Sequence, residues 1–357
     1  MVLVDCIKII SEVAKSSEYN DAINLLLESE SLWEEKFSPD QICRIVSAIS
    51  NNMAKQGRID RISTLFEKYD NCCESANVHC YSEFLRNWTE FLIAKGERET
   101  AYNKCCEYIY NTCKGDKIKD DITLYSFRGT SDYVISDIKE QTLSFQLPSK
   151  FNDPLDTLLF KWLDFKINAI SDNEIKKEFY YLLKRVSEHM RVRCFVKPKD
   201  SNIQNQLLEV ERIHPLMWAH YADSHKGICI QYRFKKEYFI QDSLKLSFRR
   251  VKKETYTNDI PDLHEGINIS NALFTKSEVW EYEEEVRILD FDIVEKKDVK
   301  LQKNNEDVVI EAIYFGYYCN DITIEKVSTA VRNTSIKLYQ MVIENENLHQ
   351  LKAKRLS

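Results

Sequence analysis

Glycine and proline are scarce, 7 and 6 in 357 residues, so the chain has few tight turns and no flexible low-complexity linker. No Gly-rich phosphate loop of Walker or G-x-G-x-x-G form is present, which removes the commonest backbone cradles for a nucleotide. Nowhere do about eighteen apolar residues run together. The first residues also lack a basic stretch followed by a long apolar one, so a cytoplasmic protein without membrane contact is expected. Positive charge is not in excess either: the net charge is −7, which disfavours nucleic acid as a partner. The 11 cysteines are odd in number and contain no C-x-x-C pair. Neither a disulfide framework nor a metal site is therefore expected.

What the chain does have divides it in two. Cys6, Cys43, Cys72, Cys73, Cys80, Cys105, Cys106 and Cys113 all precede residue 114, where apolar residues recur at helical spacing, as in Ile42, Ile45, Val46 and Ile49. Ser38 and Pro39 are placed as N-cap and first helical residue. Ser17, Gly57 and Gly96 each precede a small or apolar residue by five positions. Their spacing of about 40 residues fits paired-helix units, either tetratricopeptide-like or an irregular bundle. Residues 1–118 are thus expected to form an all-α scaffold whose surface docks a protein partner.

Past a polar stretch ending at Asp121 the period changes from helical to alternating. Strands are expected at 122–128, 142–147, 192–196, 227–234, 245–251, 283–291, 312–315 and 336–343, with helices at 132–139, over 155–190 and at 268–277. This mixture predicts an α+β domain over 122–350, built on a bent or split, largely antiparallel sheet.

Several segments of that domain carry polar and aromatic residues that a core does not need. In 216–229, Trp218, His220, Tyr221 and His225 precede Lys226-Gly227 and an alternating run, which reads as a loop-to-strand junction suited to binding. Asn152 and Asp153 form a turn before Pro154, with Asp153 as the cap of a following helix. Glu283, Glu285 and Arg287 lie two apart and share one face if the segment is a strand. Their bland reading is a surface ion pair worth under about 1 kcal/mol. The stretch 184–199 is basic, with Lys184, Arg185, Arg191, Arg193, Lys197 and Lys199 against Glu188 alone; a solvated face is the first reading and phosphate binding the second. His214, His220, His225 and Asp223 match no metal-ligand spacing. Cys194 and Cys229 lack a nucleophile signature and read as buried thiols.

Four ordered motifs resemble the bacterial family catalogued as domain of unknown function 2971. They are Leu124, Tyr125, Phe127 and Arg128; then 151–154; then Met217, Trp218, His220, Tyr221, His225 and Gly227; and finally Trp280, Tyr282, Glu283, Glu285 and Arg287. The resemblance names a domain and no reaction. Their order is also similar to that of the NAD-cleaving ADP-ribosyltransferase fold, though no Ser-Thr-Ser strand is present. That likeness implies Arg128 on a ribose or phosphate, Tyr221 stacked on nicotinamide and Glu285 opposite the developing cation. Tyr125, Asn152, Asp153, Trp218, His220, His225, Glu283 and Arg287 would complete substrate binding. The leading expectation is a nucleotide-using effector that takes NAD as substrate, without a metal, in defence against phage. Its competitor is a non-catalytic nucleotide- or peptide-binding module whose helical part docks a protein.

Overall fold

In the computed structural model, residues 3–12, 17–55, 59–113, 115–151, 153, 156, 158–198, 208–240, 245–258, 269–294, 297, 299–343 and 351–356 are described. They divide into two compact units: residues 1–113 with 161–187, and 114–160 with 188–357. The protein is α+β, the first unit helical and the second built on a mixed sheet.

Helices of the first unit pack as consecutive pairs, Leu3–Glu12 with Ser17–Glu28, Pro39–Lys55 with Ile59–Cys73, and Val78–Lys95 with Arg98–Thr112. The spacing of about 40 residues in the sequence marks the start of each second helix. At Pro39–Lys55 the cap is reciprocal: the Gln41 amide donates to Ser38 Oγ at 3.4 Å, and the Ser38 amide donates to Gln41 Oε1 at 2.9 Å. Asn77 caps the next pair by accepting from the Cys80 amide at 3.0 Å. That helix stops at Gly96, whose φ of 82° needs a residue without a Cβ. Ile42, Ile45, Val46 and Ile49 are all buried in the common core with Phe66, Phe84 and Trp88.

The expected boundary at 118–122 differs from the observed units in one respect. Residues 161–187, expected in the second domain, cluster with the first. They form parts of two helices, Leu159–Ala169 and Glu174–Ser187. The second lays Phe179 edge-on to Tyr108 with ring centres 5.6 Å apart, and Leu182 packs on the helical core. Apolar burial on the helical unit outweighs chain continuity here.

The second unit contains a ten-stranded sheet of β1 (Ile122–Arg128), β2 (Thr142–Gln146), β3 (Met190–Val196), β4 (Ile228–Phe234), β5 (Ser247–Lys253), β8 (Glu285–Asp292), β9 (Val299–Lys303), β10 (Val308–Phe315), β11 (Lys337–Ile343) and β12 (Leu351–Arg355). The short β6 (Thr255–Tyr256) and β7 (Thr275–Lys276) pair separately. Within the large sheet β10 and β11 run parallel and the other pairs antiparallel. Alternation sorts the side chains: Leu124, Ile230 and Ile313 join one core cluster, whereas Tyr125, Cys229 and Tyr314 join the other.

The pairing of β3 creates the opening that matters. One edge of β3 is filled along its whole length by β8, from Met190↔Phe291 to Val196↔Glu285. Its other edge meets β1 only at Tyr125↔Val196 and β2 only at Gln146↔Val192. Between those contacts the sheet splits, and residues 193–195 border the gap.

Segment 216–229 departs from the expected junction. It begins with a helix, Leu216–Tyr221, that buries Met217 and Trp218. The chain then reverses through Asp223, Ser224 and His225, with φ of 47°, 53° and 68° in succession. Three left-handed non-glycine residues in a row are costly and persist only where packing fixes them. Gly227 and Gly316 provide that packing: a Cβ on the first would collide with the Arg128 carbonyl, and one on the second with the His225 carbonyl.

Candidate functional site

A cavity of about 880 Å³ opens at the split, within the roughly 300–1,000 Å³ of small-molecule sites. From β1 come Tyr125 and Arg128, from β2 Ser144, from β3 Arg193 and Cys194, from the helix Leu216–Tyr221 the Tyr221 ring, and from later elements Lys276, Trp280, Glu283 and Glu285. Phe151, Asp153 and Asp156 complete one wall.

One pole of the cavity is a buried ion network. Lys276 donates to Glu283 at 2.5 Å and to Glu285 at 2.9 Å, and its Nζ lies 3.8 Å from Asp156. Arg287 Nε donates to Glu285 at 2.7 Å while its Nη2 reaches both oxygens of Asp156 at 2.7 and 2.8 Å. Glu254 sits 3.0 Å from the same Nε. Asp156, Glu254, Glu283 and Glu285 thus surround two cations. Tyr221 Oη adds a hydrogen bond to Glu283 Oε1 at 2.6 Å.

Burial resists charge on all of these groups, and the outcome differs by partner. Burial alone would raise Glu285, but Arg287 and Lys276 outweigh it and bring its carboxyl down to about 2. Glu283 ends above the ordinary carboxylate value because burial exceeds the help of Lys276 and Tyr221. Glu254 goes well above it, burial being only partly offset by Arg287. Lys276 is also buried, yet Glu285 and Glu283 hold it above the ordinary lysine value. The four carboxyl groups outnumber the two cations among them.

The opposite pole is cationic. The Arg128 side chain makes no hydrogen bond or ion pair among the described residues. Arg193 donates to Ser126 Oγ at 2.7 Å and to Ser144 Oγ at 3.2 Å. Arg193 and Val196 are three residues apart on β3, about 10 Å along a strand, and Val196 pairs with Glu285. The cavity is therefore polarised from one end to the other.

Of the residues expected at the site, Arg128, Tyr125, Tyr221, Asp153, Glu283 and Glu285 border this cavity. Asn152 and Pro154 lie outside the described residues, and the helix expected from Pro154 is the one that begins at Leu159. Four others are placed elsewhere. Arg287 is 0 % exposed and acts on its neighbours from beneath the cavity floor. Trp218 is buried edge-on against Phe127, with centroids 4.9 Å apart. Trp218, His214 and Tyr282 border a separate cavity of about 480 Å³, where Tyr282 Oη lies 2.9 Å from His220 Nδ1. His225 packs edge-on to Tyr318 at 6.4 Å between centroids.

Glu283 also departs from its expected strand. It ends a 3-10 turn, Glu278–Glu283, and a left-handed Glu284 at φ 47° intervenes before β8. The turn nonetheless brings both glutamates to one lysine. Lys276 and Asp156 were not legible as site residues. The signals were a lysine shortly after the apolar run 272–274 and, for Asp156, only its place at the end of the stretch 151–156 that carries the family resemblance. The basic stretch 184–199 is not one surface either: Arg191 is buried with its guanidinium on the carbonyls of Glu188, Met190 and Lys297, Lys199 lies outside the described residues, and Arg193 alone borders the cavity.

Over residues 217–288 the chain matches the family model described as Protein of unknown function (DUF2971). The match spans the helix at Trp218, Lys276, both cavity glutamates and Arg287; the motifs at 124–128 and 151–154 lie outside it. No curated protein and no solved structure matches the chain. Among the described residues no helix is long and apolar enough to cross a membrane.

Proposed function

We propose that the large cavity binds a dinucleotide and cleaves the nicotinamide–ribose bond of NAD, releasing ADP-ribose to water or to an acceptor. The observation that supports this best is the convergence of Arg128, Tyr221 and Glu285 on one cavity. The polarity fits the substrate: a pyridinium cation suits the acidic pole and a diphosphate the arginine pole. Tyr221 and Trp280 offer ring faces at the acidic end.

In the reaction the bond between ribose C1′ and the ring nitrogen breaks, and its electron pair leaves with nicotinamide, which becomes neutral. No proton donor is needed for that departure. Positive charge develops on the ribose, where Glu285, ionised at all working pH, lowers the barrier electrostatically. Water or an acceptor hydroxyl then attacks C1′ and gives up its proton.

Purified full-length protein should release nicotinamide from NAD, followed by chromatography. Glu285→Gln should reduce the rate by about a hundredfold or more while the unfolding midpoint shows that the chain still folds. A wild-type protein that neither consumes NAD nor modifies a target ends the reading. One feature favours the competing, non-catalytic module: both Glu285 oxygens already accept from Arg287 and Lys276. NAD that binds but is never consumed would support it.

A further inference from the structure

We propose that Arg128 and Arg193, with the hydroxyls of Ser126 and Ser144, form a subsite for a diphosphate group. The inference rests on the dinucleotide reading above and specifies which part of the ligand these residues take.

Several basic side chains of this unit have matched partners: buried Arg287 and Lys276 lie among carboxylates, half-buried Lys300 bridges Asp290 and Asp292, half-buried Arg249 pairs with Asp290, and buried Arg191 donates to three backbone carbonyls. Among the described residues Arg193 has no carboxylate at ion-pair distance and its Nε has no hydrogen-bond partner, although its guanidinium lies 5.7 Å from the Phe195 ring centre. Among the same residues the Arg128 side chain has no hydrogen bond or ion pair, and the two arginines are close enough to repel. Burial and that repulsion push Arg193 down to about 10, so it remains charged at neutral pH.

Two unpaired like charges beside a cavity raise the energy of the empty protein. The fold supplies carboxylates at ion-pair distance to the cations at the other end of the cavity, whereas Asp137 acts on Arg193 only from beyond that distance. A dianion that enters would relieve the repulsion between the two guanidinium groups. Guanidinium groups present planar pairs of N–H donors that match phosphate oxygens. The two serine hydroxyls already orient Arg193 and keep lone pairs or protons to share. With two arginines, the matching anion is a diphosphate, and a phosphate-free nucleoside would leave this pole unanswered.

The test is calorimetric binding of inorganic pyrophosphate and of ADP-ribose to the full-length protein, its Arg193→Met and Arg128→Met variants, and Arg193→Lys. Wild type should bind ADP-ribose, with affinity falling as salt rises. Each Met variant should bind roughly tenfold or more weakly, with Arg193→Lys between. Free Arg193→Met should unfold no earlier than wild type, because it no longer holds an unpaired cation. Pyrophosphate binding through the same residues assigns the subsite to the anion itself; ADP-ribose binding alone assigns it to a diphosphate within a nucleotide. Failure of wild type to bind either probe overturns the subsite, as does Arg193→Met that binds like wild type. A destabilised Arg193→Met would make Arg193 a structural residue and also overturn it. Loss of the subsite is separable from loss of the NAD reading: NAD cleavage with an unchanged KM in Arg193→Met ends only the first. Diphosphate binding without any NAD turnover ends only the second.

Discussion

Arg287 Nε lies 2.7 Å from Glu285 Oε1 although the two residues are only two apart on β8. Neighbours at that spacing share a face, so their side chains stand side by side beneath the cavity and the pair needs no long-range fold to meet. What does need the fold is the third member, Asp156, which reaches the same guanidinium across 131 residues of sequence. The pair anchors the acidic pole, and Glu285 owes its permanent charge largely to it.

Replacing Arg287 by Met should therefore do more than remove a contact. Glu285 and Asp156 would stay buried without the guanidinium that pairs with both, a loss on the order of 3–5 kcal/mol. Urea unfolding of the full chain measures it. A cost below about 1 kcal/mol would mean that the network behaves like an exposed ion pair.

Glu254 gives a pH signature of the opposite sign to Glu285. Its folded carboxyl titrates well above the ordinary value of 4.5, so the native state holds a proton that the unfolded chain has lost. Its contribution to stability is present below about 4.5 and disappears as pH rises through the folded value. Glu254→Gln fixes the neutral form. As pH rises above about 4.5, wild type should lose stability relative to this variant by at most about 1.4 kcal/mol per pH unit. A stability difference that stays flat over that range would place the proton elsewhere.

Much of the framework could be read from local pattern. The strand at Ile122–Arg128 begins and ends where alternation places it, and the helix at Asp132–Glu140 extends one residue past its expected end. Local pattern failed where tertiary contacts decide. The helix Leu216–Tyr221 is only 6 residues long, too short for a period to announce it. The edge strands Val299–Lys303 and Leu351–Arg355 do alternate between apolar and polar, but each is only 5 residues long and rich in lysine. At the site, the carboxylates at 283 and 285 were visible because they are close in sequence. Lys276 was not, while Asp156 and Arg193 stood out only as members of the stretch 151–156 and of the basic run 184–199, since what makes each of them notable is a distant partner or the lack of one.

Tyr221 joins the ring chemistry of the cavity to its ion network, and a single oxygen separates the two roles. Its hydroxyl donates to Glu283 at 2.6 Å, and burial together with Glu283 keeps the phenol above its ordinary value, so it remains a donor throughout the working range. Tyr221→Phe keeps the ring and removes the donor. Glu283 would then rely on Lys276 alone, and its carboxyl, already raised by burial, should rise further. The lost bond matters only when Glu283 is ionised. The stability deficit of Tyr221→Phe should therefore be small at low pH and grow to about 1.5–3 kcal/mol as pH climbs through the Glu283 titration. If the ring stacks on a ligand, Tyr221→Phe should bind ADP-ribose or NAD within a few-fold of wild type, whereas Tyr221→Ala should lose roughly tenfold or more. Equal losses in the two variants would locate the contribution in the hydroxyl and remove the stacking role. A deficit that does not grow with pH would show that Glu283 is not the group that the hydroxyl serves.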